Sequence, residues 1–313
     1  MYLGFLMACA SDEQRDGDLL RVDFLDHHTI DWGPIGRTAY RVQQRFHYEY
    51  EAPIATLRQR LMVVPRPVHG DQRLLRHRLD VSEARFRKRM RGDRFGNVVL
   101  EIDIPKVEAT VDFDISVLAE RLPGQGQHLE HATGQALDVY RRPSALTRPD
   151  SALRAAAAEL ACSGETCAEL AAAVSNWVYG HMSYGFDRTG VHTTAGEALA
   201  AGKGVCQDYA HVMLALCRLL GIPARYVSGH LLGEGGTHAW VEVLVPAAGQ
   251  SVDVLAWDPT HDRRADLNYL TVAVGRDYRD VAPVSGTYCL PHQGWLSASC
   301  RVSVAQVERE IAA

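Results

Sequence analysis

The stretch from Lys203 to His230, KGVCQDYAHVMLALCRLLGIPARYVSGH, contains two cysteines in different settings. Its apolar residues recur with the period of a helix. Glycines before Cys206 and the sequence Gly221-Ile222-Pro223 predict where that helix begins and ends. Cys206 is then at the helix N-terminus, where unpaired N–H groups and the helix dipole favour a thiolate. Cys217 falls among leucines and is predicted to be a buried core residue.

A nucleophilic cysteine needs a base, and two downstream segments offer one. In GGTHAWVEVLVP the apolar residues alternate after His238, which predicts a strand that begins at this histidine. VDVLAWDPT predicts a shorter strand that ends at Asp258, before Pro259. A hairpin of the two strands would place His238 and Asp258 side by side. With Cys206 they would supply a nucleophile, a base and a group that orients the base.

The region before this segment has the two-residue period of strands that are buried on one face. YRVQQRFHYEY and VEATVDFDISV both alternate, and they predict an antiparallel, β-sandwich-like N-terminal domain. The passage LPGQGQHLEHATGQ then predicts a linker. Helical signals begin at Asp150, and Thr166 with Glu169 predicts a capping box at the start of a second helix. The arginine-rich stretch 73–94 is interpreted as a solvated strand face rather than a binding patch, because acidic residues are mixed into it.

The composition excludes several classes of protein. The chain has 313 residues, of which 47% are hydrophobic and 23% charged, as in ordinary folded proteins. A net charge of −5 gives no reason to expect nucleic acid as a partner, and no apolar run is long enough to span a membrane. Seven irregularly spaced cysteines argue against a disulfide framework. The start, MYLGFLMACAS, lacks basic residues and a full signal-peptide core, so a cytoplasmic location is predicted.

Four motifs in chain order, GVCQDYAH, GIPARYVSGH, THAWVEV and WDPTH, resemble the core of the bacterial transglutaminase-like proteins. RFHYEY, LMVVPRP and DRFGNVV resemble the β-domain that precedes this core in bacteria, and VAVGRDYRDVAPVSGTY resembles its C-terminal strand segment. The resemblance implies an N-terminal β-domain over residues 38–130 and a papain-like α+β core over residues 150–305. It also implies a catalytic triad of Cys206, His238 and Asp258 that needs no cofactor.

Such a triad transfers acyl groups through a thioester. The thiolate attacks a carboxamide or peptide carbonyl, and the histidine delivers the proton to the departing amine. The backbone N–H groups of Cys206 and Gln207 are expected to form an oxyanion hole, with Tyr184 as a further candidate. An amine that resolves the thioester makes the protein a transferase, which is the leading hypothesis. Water makes it a peptidase, amidase or deamidase, and a non-catalytic binding module that kept the fold is a third alternative.

The expected partners follow from this chemistry. They are a peptide, protein or small-molecule acyl substrate and an amine acceptor, with no nucleic acid and no membrane; the oligomeric state is not predicted. His230 and His261 stand where the family resemblance implies tyrosine and asparagine, so both are candidates to line the acyl site, as is Trp240. Gln207 stands where the animal crosslinking enzymes carry tryptophan, which argues against a direct carry-over of crosslinking activity. The histidines and cysteines lack zinc-ligand spacing, so no metal is expected.

Overall fold

The computed structural model describes residues 25–123, 134–164, 166–186, 189–247, 251–289 and 293–309. Its first part consists of antiparallel strands, in agreement with the alternating sequence pattern. These strands are β1 (Ile35–Tyr50), β2 (Ile54–Leu61), β3 (Val68–His69), β4 (Gln72–Val81), β5 (Arg87–Gly92), β6 (Val98–Val107) and β7 (Thr110–Arg121). In β7 the predicted apolar face is buried at Val111, Phe113, Ile115 and Val117.

The central part combines helices with a second sheet. Its elements are α1 (Gly134–Arg141), α2 (Ser151–Leu160), α3 (Cys167–His181), β8 (Ser183–Tyr184), α4 (Ala195–Ala201), β9 (Lys203–Gly204), α5 (Cys206–Leu219), β10 (Ala224–Leu231), β11 (His238–Pro246), β12 (Val252–Asp258), β13 (Arg263–Arg264), β14 (Tyr269–Gly275) and α6 (Tyr278–Val281). The predicted capping box of Thr166 and Glu169 is present at the start of α3. Helix α5 begins at Cys206, as predicted, and it ends just before Gly221.

The last two strands, β15 (Val284–Cys289) and β16 (Gly294–Arg309), leave the central part. β16 pairs with β1 along its whole length, and β15 pairs with β2. The resulting sheets, in the orders β16-β1-β7-β4-β3 and β15-β2-β6-β5, share one apolar core and form a sandwich. The α+β part therefore ends before Val284, whereas the sequence assigned it residues 150–305. An alternating pattern predicts a strand but does not identify the sheet that the strand joins.

Helix α5 is the centre of the α+β part. It packs against α2, α3 and α4 on one side and against β10 and β11 of the sheet β13-β12-β11-β10-β14 on the other. Every residue from Gln207 to Arg218 is buried, as expected for a helix that is covered all round. Cys217 lies in this core, where burial raises the pKa of its thiol to about 12.

Two amide side chains of the sandwich hold the edge of the central sheet. The side chain of Gln72 donates to the carbonyl of Thr271 and accepts from its N–H group, at 2.7 and 2.8 Å. Asn97 makes the same pair of bonds with Val274, also at 2.7 and 2.8 Å. Both partners belong to β14, which is the last strand of its sheet. The amides therefore satisfy backbone groups that an edge strand would otherwise leave unpaired.

A buried ion pair also joins the two parts. Arg225 and Glu242 face each other on β10 and β11, and the guanidinium bonds to the carboxylate. His69, on β3 of the sandwich, donates from Nε2 to the same carboxylate at 2.8 Å. Burial would raise the pKa of Glu242, but Arg225 and His69 hold it well below its usual range. Burial lowers the pKa of His69, so its ring is the neutral third member of this buried cluster.

Three further expectations concern the arginine-rich surface, the linker and a membrane span. Strand β5 is exposed at all of its positions, which agrees with a solvated face within the stretch 73–94. The linker predicted after Arg121 falls largely outside the described residues. Among the helices of the described part, none is both long and apolar enough to cross a membrane.

We expect Asn97→Ala to lower the free energy of unfolding by about 1–3 kcal/mol, because it leaves two backbone groups of buried Val274 without partners. Urea denaturation followed by circular dichroism measures this change. Asn268→Ala is the control, because its amide bonds to the nearby carboxylate of Asp266 and not to the backbone of a sheet, and it should change stability by less than about 0.5 kcal/mol. Equal losses in the two variants would show that the amide of Asn97 does not hold the edge.

Candidate active site

A close approach of backbone and side chain fixes the turn that leads to Cys206. The carboxylate of Asp208, in the first turn of α5, accepts from the N–H of Val205 at 2.8 Å and from the hydroxyl of Thr189 at 2.6 Å. A Cβ atom on Gly204 would lie only 2.6 Å from this carboxylate, so the site requires glycine. Asp208 therefore acts as a structural residue that holds the turn before Cys206 against the helix.

Cys206 is the first residue of α5 and is half-buried. The N–H groups of Cys206 and Gln207 belong to the first helical turn, where they have no intrahelical acceptor and are available for an oxyanion. The side chain of Gln207 is directed elsewhere, since its amide donates to the carbonyl of Gly190 at 3.2 Å. The backbone N–H of Gln207, rather than its side chain, is therefore the group that can form the predicted oxyanion hole.

Tyr184 lies near Cys206 because β8 and β9 are parallel neighbours. Tyr184 pairs with Gly204, two residues before Cys206, and its side chain is 51% exposed. Partial burial and the charge of Cys206 raise the pKa of Tyr184 to about 12. The phenol therefore stays neutral and can donate a hydrogen bond to an oxyanion.

The predicted hairpin brings His238 and Asp258 together. His238 begins β11 and Asp258 ends β12, and Nε2 of the ring donates to Oδ2 of the carboxylate at 2.8 Å. Burial would lower the pKa of His238, but its contacts with Asp258, Cys206 and Glu234 outweigh this effect and raise the pKa to about 12. The imidazole is therefore protonated at neutral pH, with the Cys206 thiol within its reach.

The second ring nitrogen of His238 remains open for chemistry. Nδ1 is buried and has no well-aligned hydrogen bond to the described residues, although Oε2 of Glu234 lies 3.2 Å away. Catalytic hydrogen bonds are often poorly aligned before the substrate binds. The Nδ1 proton is thus available to a leaving group near Cys206.

Asp258 is fully buried and its carboxylate is saturated with donors. Oδ2 also accepts from Nδ1 of His261 at 2.8 Å and from the hydroxyl of Tyr269 at 2.7 Å, and Oδ1 accepts from the N–H of Thr260 at 2.9 Å. Burial would raise the pKa of Asp258, but His238 and His261 hold it well below its usual range. Tyr269 was missed from the sequence because nothing in its apolar strand distinguishes it from a core residue.

An open cleft of about 510 Å³ lies at this site. Its lining residues are Tyr179, Met182, Tyr184, Tyr209, Glu234, Thr260 and His261. Of the predicted substrate-site residues, His261 is therefore at the cleft surface, with its side chain 37% exposed. Glu234 was not predicted, because it lies in a glycine-rich loop without a strand or helix pattern.

The structure places His230 and Trp240 away from this cleft, which corrects their expected role. His230 is buried, and its ring bonds to the carbonyl of Gly236 and the amide of Gln44 on the sandwich. Burial lowers its pKa to about 4. Trp240 is buried with its indole stacked on His238, at 6.2 Å between ring centroids. Both residues lie on strands that are buried on both faces, so they pack in the interior and do not line the cleft.

Among the residues that the structure describes, two groups of side chains have the spacing of metal ligands. Asp26, His27 and His28 form an exposed group, and His238, Asp258 and His261 form the other. In the second group the ligand atoms are already bonded to one another, since Asp258 Oδ2 accepts from both rings. These contacts are those of a hydrogen-bonded triad with an additional histidine, and the absence of a metal stays a prediction.

The chain matches two protein-family profiles. The profile of the transglutaminase-like superfamily core matches residues 154–254, and that of the bacterial transglutaminase-like N-terminal region matches residues 40–120. The first range contains Cys206 and His238, and the second covers most of the sandwich strands.

Similar proteins support the same assignment. An uncharacterised protein of Mycobacterium leprae is 32% identical over 266 residues, which are 79% of this chain and 92% of that protein. One from Mycobacterium tuberculosis is 29% identical over 280 residues, covering 80% and 88%. A solved structure of a candidate cysteine protease from Cytophaga hutchinsonii has a TM-score of 0.71 at 19% identity, and the match covers 88% of this chain and 93% of that one. At this level of identity, the likeness to the solved structure shows a similar fold.

We expect Asp258→Asn to make His238 titrate in the neutral range. In the wild type a pKa of about 12 keeps the ring protonated between about pH 5 and 8. Without the carboxylate, the pKa falls toward the ordinary value near 6.5, so the ring loses its proton as the pH rises through that range. The NMR shift of the ring Cε1–H, assigned with His238→Ala, measures this. Asp262→Asn, whose carboxylate bonds to Ser175 and Asn176, is the control. A wild-type ring that titrates near neutrality would contradict the assignment.

Proposed function

Because this chain belongs to the transglutaminase-like superfamily, we propose that it is a cysteine-dependent acyltransferase. It transfers the acyl group of a carboxamide, peptide or related substrate to an amine through a thioester on Cys206. One observation carries this proposal. The half-buried Cys206 begins a fully buried helix, and the protonated His238, held by Asp258, lies within its reach at an open cleft.

In the first half of the reaction, the Cys206 thiolate attacks the substrate carbonyl and forms a carbon–sulfur bond. The oxyanion that develops accepts from the N–H groups of Cys206 and Gln207, with the neutral phenol of Tyr184 as a third donor. The imidazolium of His238 gives its Nδ1 proton to the departing amine, and the carbon–nitrogen bond breaks. The thioester and a neutral imidazole remain.

In the second half, an amine attacks the thioester carbonyl while the neutral His238 takes its proton. The thiolate leaves, and the imidazolium forms again beside Asp258. The buried carboxylate of Asp258 stabilises this cation and fixes the ring with Nδ1 toward the thiol. His261 and Tyr269 donate to the same carboxylate and so restrict its orientation.

Hydrolysis of the thioester is the second candidate reaction. The observation that favours it is the exposure of the cleft, because Tyr184 and His261 at its surface are partly open to solvent. Water would then replace the amine, and His238 would take its proton in the same way. The triad serves both reactions, so the acceptor must be identified by experiment. The cytoplasmic location of the protein is likewise proposed from its sequence.

We expect Cys206→Ala to abolish thioester formation and turnover. Incubation with p-nitrophenyl acetate, followed by intact-mass analysis, should show one acetyl group on Cys206 in the wild type and none there in the variant. Cys217→Ala is the control. It should keep full acylation and lose about 1 kcal/mol of stability, because it truncates a buried side chain. Turnover by pure Cys206→Ala protein would exclude the proposed nucleophile.

The same acyl-enzyme identifies the acceptor. Adding methylamine should yield N-methylacetamide in excess over acetate if the protein is a transferase. Acetate as the main product, with no dependence of the deacylation rate on methylamine, would favour hydrolysis. Both products are measured by NMR of the reaction mixture.

A further inference from the structure

Glu234 is an acidic residue beside His238, the proposed base, and the triad chemistry does not use it. It lies between β10 and β11 in the sequence Gly233-Glu234-Gly235-Gly236. Its carboxylate is 3.2 Å from Nδ1 of His238 and 3.9 Å from Nε2 of His261, and the side chain is 39% exposed. The nearby ring of His238 holds the pKa of Glu234 below its usual value, so the carboxylate is ionised.

The walls of the cleft suit a positively charged ligand. Three of its lining residues are tyrosines (Tyr179, Tyr184 and Tyr209), and Glu234 is its one carboxylate. Aromatic faces attract cations through their negative quadrupole, and a carboxylate supplies the opposite charge. Among the described residues that line the cleft there is no lysine or arginine. Lys203 packs against Gly185 instead, outside this lining.

The charges around the cleft also favour a cation. The ion pair of a Cys206 thiolate with the His238 imidazolium is neutral as a unit. Asp258 and Glu234 then add two negative charges. The guanidinium of Arg263, which bonds to the Tyr269 hydroxyl and interacts with Asp258, offsets one of these charges, and His261, bonded to Asp258, also faces them. A substrate cation would therefore enter a site with an excess of negative charge.

We infer that the acyl substrate carries a primary ammonium group next to the carbonyl that Cys206 attacks, and that Glu234 is the counter-ion that selects it. The inference rests on the proposed function and names the class of its acyl donor. Glu234 lies beside the proton that His238 must deliver. A group bound between Glu234 and the tyrosines would therefore lie within a few bonds of the reacting carbonyl.

The ammonium belongs to the donor rather than to the attacking amine. An amine must be unprotonated to attack a thioester, whereas an adjacent carboxylate stabilises the protonated form. Glu234 therefore favours the binding of an ammonium group over attack by a neutral amine. A substrate ammonium that pairs with Glu234 also draws this carboxylate away from Nδ1 of His238, which leaves the Nδ1 proton free for the leaving group.

The test uses two affinity labels that differ only in this charge: alanine chloromethyl ketone with a free α-ammonium group and its N-acetylated form. With each, the Cys206 thiolate displaces chloride and forms a carbon–sulfur bond. Peptide mapping by mass spectrometry gives the labelling rate at Cys206, and the exposed thiol of Cys162 in the same molecule gives the intrinsic reactivity of each label. The measured quantity is the preference of Cys206 for the charged label relative to Cys162.

We expect the wild type to prefer the charged label and Glu234→Gln to reduce that preference about tenfold, as for the loss of a charged hydrogen-bond partner. Glu159→Gln, which removes an exposed charge on α2, is the control and should leave the preference unchanged. Circular dichroism verifies that both variants are folded.

Two results would overturn the inference: equal preference in the wild type and in Glu234→Gln, or an equal loss in Glu159→Gln. Failure of the proposed function gives a different result. In that case Cys206 would react no faster than Cys162 with either label, whatever the charge preference.

Discussion

Burial of helix α5 on nearly every side is the constraint on which the candidate site depends. Three helices and a sheet cover it from Gln207 to Arg218, so solvent reaches this helix at its first residue, Cys206. The N–H groups and the positive end of the dipole are at the same place. One packing arrangement therefore exposes the thiol and places it beside backbone N–H groups that have no intrahelical acceptor. The same packing makes Cys217, only three turns further on, inert.

The two carboxylates near His238 differ in strength because their surroundings differ. Asp258 is completely buried and bound by four donors, so it determines the position and the charge of the ring. Glu234 is partly exposed and poorly aligned with Nδ1, and solvent screens it. Glu234 therefore attracts the Nδ1 proton of His238 without fixing its position. The stronger partner, Asp258, thus bonds to Nε2, and the weaker one, Glu234, lies near Nδ1 and lines the cleft.

The local parts of the site could be predicted from the sequence, but the long-range parts could not. Glycines and the helical period locate Cys206, and strand alternation locates His238 and Asp258, because these signals depend on neighbouring residues. The sheet that β16 joins depends on β1, which is distant in the sequence: Gly294 pairs with Tyr50 and Arg309 pairs with Ile35. Trp240 and His230 were misjudged because a sequence does not reveal that both faces of their strands are covered. Glu234 was missed because its loop has no periodic pattern.

The pairing of β1 with β16 means that the catalytic part is inserted into the sandwich rather than appended to it. During synthesis, β1 lacks this neighbour until the whole α+β part, which lies between the two strands in the sequence, has been made. Until then one long edge of the first sheet stays open, and the strands with the largest sequence separation close last. The amides that hold β14 belong to this sandwich. Closing the sandwich and fixing the edge of the central sheet are therefore coupled, although the strands involved lie far apart in the sequence.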